Sequence, residues 1–379
     1  MTPGYIMSLA PSFLDELRAS ADQLMARLDR VSQARVLVVG DLTLDEFLTG
    51  QVERISREAP VLILRHENTR QVPGGGANAV YNLAKLGGQV KVAGLVGQDD
   101  QGRALCDIFE AAGIDISGIF IDPARPTVTK TRISGHARQS VTQQIVRVDR
   151  KSDELPDLDL QLQLANYIHQ VLDTVDAVVC SDYGDGVLTE PAIASSLSHS
   201  RVIVDTQNQL QRYKGATLFT PNLPEAENAV GYQIKTSQQL TKAGYDLLTL
   251  TKAKYILITR GEEGMTLFEK KKETGKKKKK KGKKEESKKK KEKGSVAVEE
   301  LVNRWDIPAF NRTDVFDVTG AGDTVVAAFT LALCVGATPW EATVLGNLAA
   351  SIVVRHFGTA TTTVEQMKEA LRSLIEENS

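Results

Sequence analysis

Cysteine is scarce in this 379-residue chain, which has three, Cys106, Cys180 and Cys334, far apart and without paired spacing. That excludes a disulfide framework and a thiolate metal centre, and it fits thiols packed in a core in a reducing compartment. The five histidines share no spacing, and no Ser-His-Asp or Cys-His arrangement stands out, so hydrolases of those kinds are excluded too. Long apolar runs are missing: no stretch approaches the ~18 residues that a bilayer-spanning helix needs. The first residues, with Asp15, Glu16 and Asp22, lack a basic-then-apolar export signal, so the expectation is a cytoplasmic protein with no membrane association. Net charge is low as well, at −1, but unevenly spread. Lys270 to Gly294 holds 16 Lys against 4 Glu, a surplus of +12, which leaves −13 on the rest. An acidic body offers no nucleic-acid surface, and the lysine run, with no apolar residue to bury, is expected to be a solvated, disordered loop.

The chain is 41% hydrophobic, enough for one large α/β core. Leu14, Leu17, Ala21, Leu24 and Leu28 recur at helical spacing behind Ser12-x-x-Asp15, predicting a capped amphipathic helix in an N-terminal extension, residues 1–34. Arg35 to Gly40, RVLVVG, reads as a strand buried on both faces. Helical and strand-like segments then alternate to about residue 370, predicting a doubly wound, mostly parallel sheet with helices on both faces. Two excursions, 48–70 and 126–150, have short strand patterns of their own and predict a small inserted β-sheet.

Five motifs carry candidate chemistry. In DVTGAGDTVVAAF, Asp317 to Phe329, glycines lead into an apolar helix expected to start near Thr324. The amides of Gly320, Ala321 and Gly322 would then converge on one point at the positive end of a helix dipole, and Asp323 would accept a proton beside them. A helix cap needs one such side chain, not this whole constellation. In PGGGAN, Gly74 and Gly75 allow close backbone approach to a ligand, and Asn78 offers a donor and an acceptor to sugar hydroxyls. Asp41 and Asp45 follow the first strand, where open α/β sheets bind ligands and carboxylates chelate hydroxyl pairs. Asn222 and Glu225, in TPNLPE, have the spacing either to hold a hydrated Mg²⁺ beside phosphates or to make a capping box. Thr259 and Gly261 follow another strand and fit either a nucleotide-pocket wall or a plain turn.

PGGGAN, VGQDDQG, TPNLPE and DVTGAGDT, in this order, resemble the ribokinase-like (pfkB) sugar kinases from about Arg35 to about Ala370. GDLTLDEFLTG, RISREAPVLIL and RISGHARQSVTQQIVRVD are most similar to the branch that phosphorylates heptose 7-phosphate on its anomeric hydroxyl with ATP and Mg²⁺. The resemblance implies Asp323 as catalytic base, with Gly320, Ala321 and Gly322 as anion hole. It implies Asp45, Gly74, Gly75 and Asn78 at the sugar, Asn222 and Glu225 at Mg²⁺ and phosphates, and Thr259, Gly261 and Asn347 at the adenine nucleotide. It also implies that the inserted sheet is a lid over the sugar and that a homodimer forms through this lid. Where that branch carries Asp-Tyr-x-Lys-Gly and Asp-Pro-Lys, this chain has Asp185 and Gln207 in the lysine positions, which removes favourable charge near phosphate. Lid arginines Arg132, Arg138 and Arg147 are candidates for a substrate phosphate. Two other readings stand beside the first: a kinase of another sugar, sugar phosphate or nucleoside, and a non-catalytic nucleotide-binding protein.

Overall fold

The computed structural model describes residues 10–137, 141–207, 209–271, 298–311, 315–356 and 358–376. Its centre is β1 (Arg35–Gly40), which pairs in parallel with β4 (Gln89–Gly97) on one side and β8 (Ala177–Asp182) on the other. With β5 (Asp115–Asp122), β9 (Val202–Thr206), β10 (Leu218–Phe219), β11 (Tyr255–Thr259), β12 (Met265–Lys270) and β13 (Val302–Ile307) they form a nine-stranded sheet. The order is β13-β12-β11-β10-β9-β8-β1-β4-β5, parallel except for the antiparallel β11–β12–β13 end.

Alternation along β1 builds two cores. Val36 and Val38 point to one face, and Leu37 and Val39 to the other, all fully buried. The first face is covered by α1 (Pro11–Arg30), α2 (Gly76–Lys85), α3 (Asp100–Ala111), α8 (Ala321–Cys334), α9 (Pro339–Val353) and α10 (Val364–Glu376). The second is covered by α4 (Leu158–Val171), α5 (Glu190–Leu197), α6 (Leu223–Val230) and α7 (Ser237–Thr251). The N-terminal helix is therefore no appendage: Leu17, Leu24 and Leu28 are buried in the same core as α8 and α9. Nor is it capped by Ser12, because the N-cap position is Ala10 and no side chain bonds the first turn.

The inserted sheet is four-stranded, in the order β3-β2-β6-β7, from β2 (Leu42–Ile55), β3 (Leu62–Gly75), β6 (Val128–His136) and β7 (Gln143–Arg150). It starts at Leu42, six residues before the sequence pattern suggests. The roots of β2 bury Leu42 and Leu44 in the main core, so their apolar signal reads as part of the large domain. The lysine-rich run lies, beyond Lys271, outside the described residues.

Candidate active site

Chain order reverses between β1 and β8, so their carboxyl ends open a crevice at the topological switch point of the sheet. Helix α8 aims its N-terminus there. It begins at Ala321, three residues before the expected Thr324, with Gly320 in the left-handed region at φ 77°. A side chain at Gly320 would also collide with Asn78, since a Cβ there would stand 2.5 Å from Nδ2. The expected anion hole is reduced by one donor, because the Ala321 amide is spent on the Val318 carbonyl at 3.1 Å. The Gly322 amide has no hydrogen-bond partner among the described residues, and Gly322 and Gly320 line the crevice.

Asp323 sits in the first turn of α8 and does not cap it. One of its oxygens accepts from Asn78 Nδ2 at 2.7 Å, the other from the Tyr183 hydroxyl at 3.0 Å. Asn78 is itself fixed by Asn82 Nδ2, which donates to its Oδ1 at 3.0 Å, and Thr324 Oγ1 lies 3.1 Å from Asn82 Oδ1. Burial raises the Asp323 pKa to about 6, with the two hydrogen bonds and Lys130 opposing the rise. A carboxylate so poised is ionised near neutrality yet basic enough to take a proton.

The cleft beside Asp323 has a volume of about 170 Å³ and is walled by Asp205, Gln207, Asn222, Glu225 and Thr259 among others. Asp205, near the end of β9, is a site residue that no sequence motif marked, although its place at a strand's carboxyl end was a usable signal. Its pKa rises to about 8 through burial and through the charges of Asp323 and Glu225. Tyr183 was missed as well. Its phenol is held neutral by burial and neighbouring carboxylates, which keeps it a donor to Asp323.

Asn222 and Glu225 form a capping box on α6: the Glu225 amide donates to Asn222 Oδ1, and the Asn222 amide to Glu225 Oε2, each at 2.9 Å. Both still face the cleft. Asn347 is buried on α9 and its amide donates to the Pro308 carbonyl at 2.7 Å, tying that helix to the end of β13. Gly261 lies on an exposed turn at φ 56°, beyond the cleft wall that Thr259 forms.

The two carboxylates after β1 part company. Asp41 is fully buried, and its oxygens accept from the amides of Tyr183, Asp185 and Val187 at 2.8–3.0 Å. It therefore scaffolds the loop that delivers Tyr183, in place of the sugar contact expected for it. Asp45 instead lies against Gly74, where a Cβ would fall 2.6 Å from its carboxylate, and 2.8 Å from Arg132 Nη1. That ion pair is misaligned for a hydrogen bond, so Asp45 Oδ1 and Arg132 Nη1 are both buried with their hydrogen-bonding capacity unused, as is Thr43 Oγ1 beside Gly75. Buried polar groups left unpaired are costly, and hydroxyl groups of a bound molecule can supply the missing partners. Asp185, expected to oppose phosphate, is half-buried among the charges of Lys130, Lys151 and Arg125. Gln207 does face the cleft.

This architecture, an α/β sheet with a β-lid over a helix N-terminus and a buried acid, defines the ribokinase-like fold. The same fold occurs in phosphofructokinase-2 from Escherichia coli in complex with potassium, with a TM-score of 0.66 and 18% identity over 90% of this chain and 99% of that one. It occurs also in Arabidopsis thaliana ribokinase complexed with ribose and ATP, with a TM-score of 0.62 and 17% identity at 90% and 99% coverage. The chain belongs to the pfkB family of carbohydrate kinases, whose model matches residues 33–282 and 273–367. Among curated relatives it is 39% identical over 331 residues to the bifunctional protein HldE of Geobacter metallireducens, covering 86% of this chain and 60% of that protein. It is 34% identical over 345 residues to HldE of Helicobacter hepaticus, covering 89% and 64%. The chain thus spans less than two thirds of the length of these relatives. Among the described residues no helix is long and apolar enough to cross a membrane.

Proposed function

We propose that this protein transfers the γ-phosphoryl group of ATP to the anomeric hydroxyl of D-glycero-D-manno-heptose 7-phosphate. The observation that carries the reading is Asp323, buried, doubly hydrogen-bonded and set in the first turn of α8 beside the free Gly322 amide. The likeness to HldE proteins supports heptose as the sugar. In the reaction the hydroxyl proton passes to Asp323, the new O–P bond forms in line with the breaking bond to ADP, and charge on the moving phosphoryl group is met by the N-terminus of α8. Asn78 and Tyr183 hold the base in place, and the lid excludes water so that the sugar is the acceptor.

The cleft also fits Mg²⁺. Asp205, Glu225 and Asp323 face one cleft, where burial and then the charges of Asp323 and Glu225 raise the pKa of Asp205. Among the described residues no three His, Cys, Asp or Glu side chains converge into a metal cage, so the ion would be held largely by phosphates and water, with Glu225 nearby. Bound there, it neutralises charge on the transferring phosphate.

The lid supports a homodimer. Leu48, Ile133 and Val146 form one cross-strand row on the lid face opposite Asp45, and Val146 and Val148 are 45% and 44% exposed. A second copy of the same sheet would cover them. A non-catalytic reading keeps one observation, Gln207 in the cleft wall. Asp323→Asn separates the two: it is expected to abolish heptose-dependent ADP release while leaving ATP binding by calorimetry nearly intact. Wild-type turnover in that variant would remove Asp323 as the base.

A further inference from the structure

We infer that a second cavity, beside the catalytic cleft and at the N-terminus of α5, is a binding site for an uncharged sugar. It lies outside the phosphoryl-transfer site, and its test does not depend on turnover.

The cavity has a volume of about 530 Å³, within the ~300–1,000 Å³ that small-molecule sites occupy. It is lined by the loop that follows β8, by the first residue of α5, and by Gln207, Gln209 and Arg212 beyond β9. Thr189 occupies the N-cap position of α5, where a threonine hydroxyl ordinarily accepts from an amide of the first turn. Here it makes no such bond. Thr189 is 6% exposed and lines the cavity, and its Oγ1 is buried with no hydrogen-bond partner among the described residues. The adjoining Glu190 amide has none either. A buried hydroxyl that neither caps its helix nor bonds a neighbour is costly to folding. Together with the amide beside it, this hydroxyl offers two hydrogen bonds to the oxygen of a ligand.

Charge decides the class of ligand. Asp182, Glu190 and Arg212 are the charged side chains that line the cavity. Asp182 is spent, since it accepts from the Gly184 amide at 3.0 Å, the Tyr213 hydroxyl at 2.7 Å and Arg212 Nη1 at 3.3 Å. Arg212 is matched by that carboxylate and donates through Nη2 to the Leu188 carbonyl. Glu190 is left as the unmatched charge, so the lining is net negative and repels a phosphate or carboxylate in spite of the helix N-terminus. The remaining groups pair hydroxyls: the Thr189 hydroxyl, the Glu190 carboxylate and the side-chain amides of Gln207 and Gln209. Leu188, and Leu155 at 66% exposed, add apolar surface against which the C–H face of a sugar ring packs. Asp182, Thr206 and Gln207 line both this cavity and the catalytic cleft, and the loop begins at Tyr183, the donor to Asp323. A sugar bound here therefore rests on the loop that steadies the base.

The test soaks crystals of the full chain with D-mannose, D-glucose, trehalose and inorganic phosphate. It also measures their affinities by calorimetry in wild type, Thr189→Val, Leu155→Asp and Asp45→Ala, with thermal melting to verify folding. The expected result is a sugar in this cavity with a hydroxyl oxygen within hydrogen-bond distance of Thr189 Oγ1. Its affinity should fall about 5–10-fold in Thr189→Val and in Leu155→Asp. Asp45→Ala should leave this binding in place, because Asp45 belongs to the catalytic site. Leu155 is largely exposed, so Leu155→Asp decides the matter if Thr189→Val does not fold. A cavity that stays empty with all three sugars, or an affinity unchanged in the folded variants at Thr189 and Leu155, overturns the site. Phosphate in the cavity with the sugars excluded overturns the uncharged class.

Discussion

Asp323 is clamped by two neutral donors, one to each carboxylate oxygen, and that arrangement dictates its titration. Burial favours the protonated form, the hydrogen bonds from Asn78 and Tyr183 favour the ionised one, and the balance falls at about 6. A base works only when ionised, so kcat/KM is expected to rise with pH through about 6 and then level. Tyr183→Phe removes a donor to the ionised form. The acid limb of the pH–rate profile should therefore move upward by about 1 unit, and a limb that stays in place would assign Tyr183 to packing alone. The motif TGAGD made Asp323 visible in the sequence, because glycines before an apolar helix have a direct physical meaning. Tyr183 and Asp205 were less visible, since a tyrosine or aspartate after a strand has many uses. What selects them is the carboxylate each meets in space.

At the level of elements, helix α6 serves both stability and the cleft through the same pair of side chains. Asn222→Ala breaks the capping box and should cost about 1 kcal/mol in urea unfolding. Because Asn222 also lines the cleft, kcat/KM is expected to fall more than about 10-fold, beyond what a fully folded but weakened protein would show. A stability loss with unchanged kcat/KM would confine Asn222 to the cap. The sequence spacing fitted both roles, and the structure shows that the cap is made while the residue still faces the cleft. Helices α1, α2, α3 and α4 were readable because their apolar residues recur at helical spacing. The start of the lid was not, because β2 leaves the main core gradually and its first apolar residues belong to that core.

For the whole molecule, the proposed homodimer rests on the lid. Its site-facing side is charged and its other side carries Leu48, Ile133, Val146 and Val148 in partial exposure. Replacing Val146 and Val148 with Asp should convert a dimer to a monomer in sedimentation velocity and lower turnover by leaving the lid unsupported. A wild-type monomer at micromolar concentration would remove the lid as an interface.

The sequence by itself determined the layered α/β fold, through strand alternation and helical periodicity. It determined also the helix-N-terminus site, through a glycine-rich turn that few other structures require. Tertiary structure alone decided which of Asp41 and Asp45 is left free of backbone partners for the proposed sugar site. The two lie four residues apart with the same chemistry, and the choice depends on three amides, of Tyr183, Asp185 and Val187, brought in by β8 from about 140 residues away. They claim Asp41 and leave Asp45 to the site. Local spacing records which face of a strand a residue takes but not which residues from other strands lie beside it.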